Sequence, residues 1–434
     1  MNKPPILLFF SMFFFVVFFQ IPAYCQTIYS LYDLTQLANK HSETIKMAQE
    51  DVYIANQDKA RALSVLIPRV TTYGRMTEYK NDDISVPDTL TLGVKLTQSF
   101  TLNGKELIAL DVTKTAIEGK QFSLESIRSQ YLLQVSQAYY NILSAQRFVE
   151  IALSDVNRLS SHRDAVKEKL SVGNVTKTDL YRAEAELSKS LTEQVRAENR
   201  MLQSKAALRN LVEIEDDFTL QKNDIGEIEN YDITLGDIQI DALNNRSEIK
   251  EAKKNLEITK KNIKFKKSDY WPTLELEAGY KETDIKYDSG PTTVEDDTNA
   301  AYITGELMFT LYDGGLRKAE IRQALADHRK AADALTLKEK AIILDSKISF
   351  LDYKTAKSAL LNLQDELKFA RENFNAVQMQ FKYGMADSID MMDANTLLVS
   401  AQRRSLDAKY TYYLSVLKIL YTKGDLLAFL LKQA

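Results

Sequence analysis

The feature that most constrains this chain is a stretch between Pro87 and Pro272 that contains no proline. Proline breaks a helix because it lacks a backbone N–H and clashes with the preceding turn. Within this stretch, apolar residues recur at alternating steps of three and four over residues 142–159. Beyond the stretch, the same steps run over residues 353–381. A period near 3.5 is typical of a coiled-coil seam. The sequence therefore predicts very long helices that pack in pairs.

Two segments, 105–170 and 316–381, are predicted to be single helices of 66 residues each. At ~1.5 Å per residue each rod would be about 99 Å long, which is too long for a compact domain. The composition agrees, because the 434 residues include only 14 Gly and 7 Pro, from which few turns can be built. The 56 basic and 60 acidic residues nearly cancel, so nucleic acid is not expected as a partner.

The chain contains two copies of one unit. Gly173 and Gly384 lie 211 residues apart, and Gly104 and Gly315 have the same spacing. A repeat at fixed spacing indicates duplicated structure. Each copy, about 30–212 and 241–421, is predicted to run helix, strand, strand, long helix, turn, helix. The expected fold is therefore mainly α with a small β part.

Each copy is predicted to contain two strands, near 69–80 and 90–102 in the first and near 273–286 and 299–311 in the second. Pro68 and Pro272 end the preceding helices, since the residue before a proline is pushed out of helical geometry. The strands alternate in polarity, as in Leu90, Leu92, Val94 and Leu96. The loops 81–89 and 287–298 are expected to be exposed tips between hairpin strands.

These strands are long enough to cross an outer membrane when tilted, but alternation alone also permits a soluble antiparallel sheet with one wet face. Four strands do not close a barrel, and their open edges would be unsatisfied in lipid. Three copies of the chain would supply twelve strands, an even number that makes a workable barrel.

Residues 1–25 are predicted to be a signal peptide. Lys3 precedes an apolar run, and Ala23 and Cys25 occupy the −3 and −1 positions of a cleavage site before Gln26. The alternative is that Cys25 becomes a lipidated N-terminus, although Tyr24 stands where a lipoprotein signal requires a small residue. Cys25 is the only cysteine, so no intrachain disulfide is possible.

No constellation for catalysis is present in the sequence. His41, His162 and His328 lie on separate helical stretches without metal-ligand spacing. Cys25 is expected to leave with the signal peptide, and Gly314-Gly315 is not followed by the Lys-Ser or Lys-Thr of a phosphate loop. We expect no catalytic residue, no cofactor, no metal site and no enzymatic activity.

Together these features resemble the TolC family of outer-membrane efflux proteins. The resemblance covers about residues 32–420, and its motifs are Ile67-Pro68, Trp271-Pro272, Leu311-Tyr-Asp-Gly-Gly315, Tyr383-Gly384, Asp390-Met-Met-Asp393-Ala394 and Ala242-Leu-Asn-Asn-Arg246-Ser-Glu-Ile249. It implies a homotrimer in the outer membrane of a Gram-negative bacterium, with a twelve-stranded β-barrel in the lipid and an α-helical barrel crossing the periplasm.

The resemblance also implies a function and partners. The trimer would be a passive exit duct of a tripartite efflux or secretion system. Its partners would be a periplasmic adaptor, or membrane fusion protein, and an inner-membrane pump of the RND, ABC or MFS type. The alternative is an exported coiled-coil structural or adaptor protein of the envelope without its own channel. Adaptors carry a single hairpin, whereas the hairpin here is duplicated and follows strand pairs.

By the same resemblance, the helical hairpin tips near 171–176 and 382–387 would contact the adaptor, through Val172, Gly173, Asn174, Tyr383, Gly384 and Met385. Glycine also suits a tight reversal in its own right, because it adopts left-handed geometry. Four further residues mark structural switches, Pro68 and Pro272 before the strands and Gly104 and Gly315 where the rods begin.

Asp390 and Asp393 match the paired acidic positions that line the closed periplasmic entrance in this family. In a trimer each would form a ring of three carboxylates that attracts cations. Helix capping is the alternative for Asp390, with Asp387 as the N-cap residue. In the first copy, Thr176 and Asp179 would form the same cap, and Arg182 stands where the second copy has the acid.

Overall fold

The computed structural model describes residues 27–78, 88–214, 218–221, 233–288 and 293–431. The predicted signal peptide 1–25 with Cys25 lies outside the described residues, as do residues 79–80 of the first predicted strand and residues 81–87 of the first predicted loop. In chain order the elements are β1 (Thr27–Tyr29), α1 (Leu31–His41), α2 (Glu43–Ser64), β2 (Arg69–Thr77), β3 (Asp88–Thr101), α3 (Lys105–Ser171), α4 (Lys177–Val212), β4 (Phe218–Leu220), α5 (Leu235–Asn245), α6 (Ser247–Lys267), β5 (Thr273–Asp288), β6 (Thr293–Met308), α7 (Leu316–Lys382), α8 (Ser388–Lys423) and α9 (Leu426–Leu431).

Two very long helices organise the molecule. α3 and α7 contain 67 residues each, so each is about 100 Å long at ~1.5 Å per residue. Each packs against a partner of 36 residues, α3 against α4 and α7 against α8. Gly104 and Gly315 immediately precede the long helices with φ of 72° and 92°, a left-handed conformation that glycine adopts without a Cβ clash. The prediction of a mainly α fold with paired long helices is confirmed.

The four strands near the long helices form one antiparallel sheet in the order β2-β3-β5-β6. The two copies of the unit meet at its centre, where β3 pairs with β5 from Asp88 opposite Lys286 to Thr101 opposite Thr273. In the part of the chain that the structure describes, β2 and β6 each pair on one side only. The sheet therefore has two open edges, one contributed by each copy.

The last strand differs from its predicted position at 299–311. β6 spans Thr293–Met308, because its pairing with β5 continues to Asp288 opposite Thr293. Much of the segment expected to be the loop 287–298 is therefore paired, and residues 289–292 of it lie outside the described residues. The end of β6 is set by the start of β5, because β5 begins at Thr273, directly after Pro272. Thr273 pairs with Met308, so the residues after Met308 have no strand residue opposite them.

A compact core surrounds the middle of the rods. The parallel pair β1 and β4 and the short helices α1, α5 and α9 pack there against α3 and α8. Fully buried residues at the centre of this core are Leu34, Leu132, Tyr140, Ile142, Phe218, Ile238, Tyr412 and Leu417. Two tyrosines fix the chain that leaves α4, since Tyr131 Oη donates to Leu211 O at 2.6 Å and Tyr139 Oη donates to Gln221 O at 2.8 Å.

Candidate functional site: the sheet faces and the hairpin tips

One face of the four-stranded sheet carries an exposed apolar band on the side of the helices, and towards the loops the same face carries Glu282, Asp284, Asp297 and Asn299. The register places Val70, Leu96, Ala278 and Ile303 in a single row across all four strands. Other apolar residues on this face are Met76, Leu90, Leu92, Val94, Leu274, Leu276, Tyr280, Ala301 and Leu307. The side chain of Ile303 is 86% exposed in the single chain. A contiguous apolar surface of this extent indicates contact with a membrane or another protein.

The opposite face of the sheet is polar. Glu277 binds Lys95 Nζ at 2.9 Å and accepts a hydrogen bond from Tyr302 Oη at 2.7 Å. Tyr73 lies opposite Gly93 and Tyr302 lies opposite Gly279, so each tyrosine crosses a glycine. A Cβ on Gly93 would be 2.8 Å from the ring of Tyr73, which means that a larger residue would displace this ring. This face therefore suits contact with water.

The two hairpin tips have the same backbone geometry. Gly173 and Gly384 adopt φ of 75° and 77°, and no atom lies within 4 Å of the position of a Cβ at either residue. Each tip closes with a backbone hydrogen bond from the following residue, Asn174 N to Lys169 O at 2.9 Å and Met385 N to Gln380 O at 2.8 Å. Three large apolar side chains project from the tips, and these are Val172, Tyr383 and Met385, each at least two-thirds exposed.

The helices that leave the two tips begin with equivalent caps. Thr176 Oγ1 accepts from Asp179 N at 3.3 Å, and Asp179 Oδ2 accepts from Thr176 N at 2.8 Å. These hydrogen bonds from the backbone and hydroxyl of Thr176 lower the pKa of Asp179. In the second copy Asp387 Oδ1 accepts from Asp390 N at 2.9 Å, and Asp390 Oδ2 accepts from Asp387 N at 3.1 Å. Asp390 therefore has a capping role.

Asp393 lies one turn further along α8 and is exposed. Its side chain has no hydrogen bond or ion pair with the described residues. Arg182, at the corresponding position of the first copy, is also exposed. Within a single chain, the carboxylates of Asp390 and Asp393 thus differ, because only Asp390 is held by a local hydrogen bond.

A set of polar contacts joins the two hairpins just behind the tips. His162 Nε2 lies 2.9 Å from Ser388 Oγ, and Lys169 Nζ donates to Phe381 O at 2.6 Å. Burial, with a smaller effect from the charge of Lys169, lowers the pKa of His162. The rings of His162 and Phe381 are 5.0 Å apart and cover a buried apolar cluster that includes Val166, Phe374, Met391 and Leu398.

About two helical turns further from the tips, Asn395 links the hairpins again. Its Nδ2 donates to Asp155 Oδ1 at 2.7 Å, and its Oδ1 accepts from Arg158 Nε at 2.9 Å. Sequence reasoning assigned no role to these residues or to His162 and Lys169. The available signal was their spacing, because residues 155, 158, 162 and 169 are polar and share one helix face.

A buried arginine fixes the start of the second copy. Arg246 Nη2 pairs with Glu248 Oε1 at 2.7 Å, and Nη1 pairs with Asp345 Oδ2 of α7 at 2.8 Å. The guanidinium also lies 5.0 Å from the ring centre of Tyr421 of α8. Burial alone would lower the pKa of Arg246, but the hydrogen bond and charge of Glu248 raise it, so the group stays charged. The motif at 242–249 thus ties α6 to α7 and α8.

Neither a metal centre nor a membrane-crossing helix is found in the described ranges. No group of His, Cys, Asp and Glu side chains there has the proximity that a metal ion requires. Among these same residues, no helix combines the length and the apolar character of a membrane span.

Paired long helices that end in a two-faced antiparallel sheet define the architecture of the chain, and comparison with known proteins assigns the family. Residues 34–212 and 240–420 match the outer membrane efflux protein family. The outer membrane protein TolC of Vibrio cholerae is 22% identical over 369 residues, which cover 84% of this chain and 83% of that protein. The TolC protein of Escherichia coli is 22% identical over 412 residues, covering 92% and 82%.

Solved structures agree on the fold. The outer-membrane channel OprN superimposes with a TM-score of 0.77 at 17% identity, over 91% of this chain and 90% of that chain. The chain belongs to the outer membrane efflux protein family. This family consists of channels rather than enzymes, and it places the chain in the outer membrane of a Gram-negative bacterium.

Proposed function

We propose that three copies of this chain form the exit duct of a tripartite efflux or secretion system. The observation that carries this proposal is the sheet, which has one exposed apolar face, one polar face and two open edges. Pairing β6 of one copy with β2 of the next would satisfy both edges and close a barrel of twelve strands, as a sheet in lipid requires. The apolar face would then contact lipid, and the polar face would line the lumen.

The long helices supply the periplasmic part of the duct. Rods of about 100 Å are long enough to carry a tunnel well away from the membrane in which the sheet lies. Transport through this duct is passive, and the energy comes from an inner-membrane pump of the RND, ABC or MFS type. A periplasmic adaptor, or membrane fusion protein, connects the pump to the duct. No cofactor takes part.

The hairpin tips are the surface that we assign to the adaptor. Val172, Tyr383 and Met385 are large apolar residues held outward at the ends of rigid helices, which is the arrangement expected of interface anchors. Gly173, Asn174 and Gly384 complete the two turns. Replacing Val172 and Met385 by Asp should abolish capture of the chain by its adaptor without lowering the thermal stability. Unchanged capture would remove the tips from the interface.

We assign Asp390 and Asp393 to the periplasmic gate. In the trimer each acid would form a ring of three carboxylates around the axis, where it would attract cations and repel anions. Pro68, Pro272, Gly104 and Gly315 are the positions at which the chain changes between rod and strand, and we assign them a structural role in the wall of the duct. The two sequence copies provide the two hairpins of each protomer.

An exported coiled-coil protein without a channel is the competing function. Such a protein would not need the apolar face of the sheet. Cell fractionation separates the two functions, because the duct should be recovered with outer membranes as a trimer that dissociates only on heating in detergent. Recovery of the processed chain as a soluble monomer from the periplasm would contradict the proposal.

A further inference from the structure

The lysines of α6 fall into two sets. α6 ends close to the sheet and lies between α3 and α7. In the first set, Lys254 pairs with Glu118 of α3 at 2.5 Å, Lys261 with Asp111 of α3 at 2.9 Å and Lys266 with Glu320 of α7 at 3.3 Å. These three side chains therefore help to hold α6 to its neighbours.

The second set points away from these neighbours. Lys253, Lys260, Lys264 and Lys267 follow one another at steps of seven, four and three residues, so they share one face of the helix. All four are exposed, and none forms an ion pair with the residues that the structure describes. In the first turns of α7, Lys318 and Arg322 are likewise exposed and unpaired among the described residues. A basic surface thus lies where the helices approach the sheet.

The opposite face of α6 borders a cleft between α6 and α7. It carries Asn262, which together with Gln323 and Asp327 of α7 lines a cleft of about 310 Å³. The four lysines and the cleft therefore lie on opposite faces of α6.

Exposed aromatic residues surround the same end of the sheet. Tyr270 and Trp271 precede β5, and Phe309 and Tyr312 follow β6. Each of these side chains is between 47% and 84% exposed. Girdles of aromatic residues mark the level of the lipid headgroups in outer-membrane barrels, which places this level at the junction between strands and helices.

Distance along α6 separates its exposed lysines into a near pair and a far pair. Lys267 and Lys264 lie four and seven residues before Trp271, or about 6 and 10 Å along a helix axis. Lys260 and Lys253, the far pair, lie 11 and 18 residues before it, or about 16 and 27 Å. Attraction to a charged membrane surface decays within a Debye length of about 8 Å, and lysine side chains extend toward headgroups. Only the near pair is within reach of them.

We propose that Lys264, Lys267, Lys318 and Arg322, with the exposed aromatic residues, form a collar that binds anionic phospholipid headgroups in the periplasmic leaflet. The inference rests on the proposed function, because it requires the sheet to lie in a bilayer and the lysine face of α6 to face outward from the duct. Charge complementarity selects this lipid class, since unpaired cations beside an anionic surface attract acidic lipids over zwitterionic ones.

Trp271 provides a direct test, because it is the only tryptophan of the chain and belongs to the collar. The mature chain is reconstituted into phosphatidylcholine vesicles that contain increasing fractions of brominated phosphatidylglycerol or brominated phosphatidylcholine, and quenching of Trp271 fluorescence gives their relative binding constant. We expect a preference of about fivefold for phosphatidylglycerol, the factor expected for one lysine at an anionic surface.

Two variants with the same change in charge on the same helix face provide the comparison. K264Q/K267Q should reduce the preference, whereas K253Q/K260Q should retain it. Equal binding of the two lipids to the unmodified chain would overturn the collar, as would an equal loss of preference in both variants. If neither brominated lipid quenches Trp271, the sheet is not in the bilayer, and the proposed function itself fails.

Discussion

Asp390 and Asp393 illustrate how two neighbouring acids can be separated by what holds each of them. Asp390 caps α8 through the backbone of Asp387, whereas Asp393 has no partner among the described residues of its own chain. Asp390→Ala should therefore lower the free energy of unfolding by about 0.5 kcal/mol, and Asp393→Ala should leave it unchanged.

If the two acids line the proposed gate, both substitutions should weaken the cation selectivity of the channel, measured as the reversal potential across a bilayer in a salt gradient. Asp365→Ala is the matched control, because Asp365 is an exposed acid on α7 away from the tips. Selectivity that is unchanged in Asp393→Ala, or lowered equally in the control, would remove Asp393 from the gate.

The two tip glycines make a different prediction at the residue scale. No atom lies within 4 Å of a Cβ at Gly173 or Gly384, so the cost of a side chain comes from the positive φ alone. Each change to Ala should destabilise the fold by about 1 kcal/mol, and each change to Asn by less, because Asn tolerates left-handed geometry. Thermal unfolding of the four variants measures this order. Equal stability of the Ala and Asn variants would contradict it.

At the scale of elements, the contact between the two hairpins should depend on pH. Burial lowers the pKa of His162, whose unfolded value is about 6.5. The folded state therefore favours the neutral form of His162 over the protonated form. The contribution of His162 to folding stability is fully present above about pH 6.5, and it is lost as the pH falls through the lower pKa of His162 in the folded state.

Comparing thermal unfolding at pH 7.5 and pH 5.0 tests this dependence. The unmodified chain should lose more stability at pH 5.0 than His162→Gln does. Ser388→Ala removes the partner of His162 Nε2 in the hairpin contact and should destabilise the protein at pH 7.5 by about 1 kcal/mol. The same pH dependence in the unmodified chain and in His162→Gln would show that His162 does not control the contact.

Elements also mark the limit of what the sequence predicts. The rods follow from a seam sustained over many turns, and β2, β3 and β5 follow from alternation after a proline. β1 and β4 have three residues each and acquire their structure by pairing with each other and packing on the core, so their sequences carry no period. The contact of His162 with Ser388 joins residues 226 apart, which no local pattern can indicate.

At the scale of the whole molecule, the single chain is an incomplete structure. Its apolar sheet face is exposed, and both sheet edges lack partners within the described residues. In the proposed duct, closure of a barrel from several copies within a membrane would remove both deficits. The scarcity of glycine and proline serves the same architecture, because uninterrupted rods require few turns.

Conductance across a planar lipid bilayer tests the central claim most directly. The chain without its predicted signal peptide 1–25 is purified, its mass is measured under native conditions, and it is added to one side of the bilayer. We predict a species three times the mass of the mature chain that produces discrete, cation-selective current steps. A monomer, or a trimer that leaves the bilayer electrically silent across the accessible voltage range, would contradict the account.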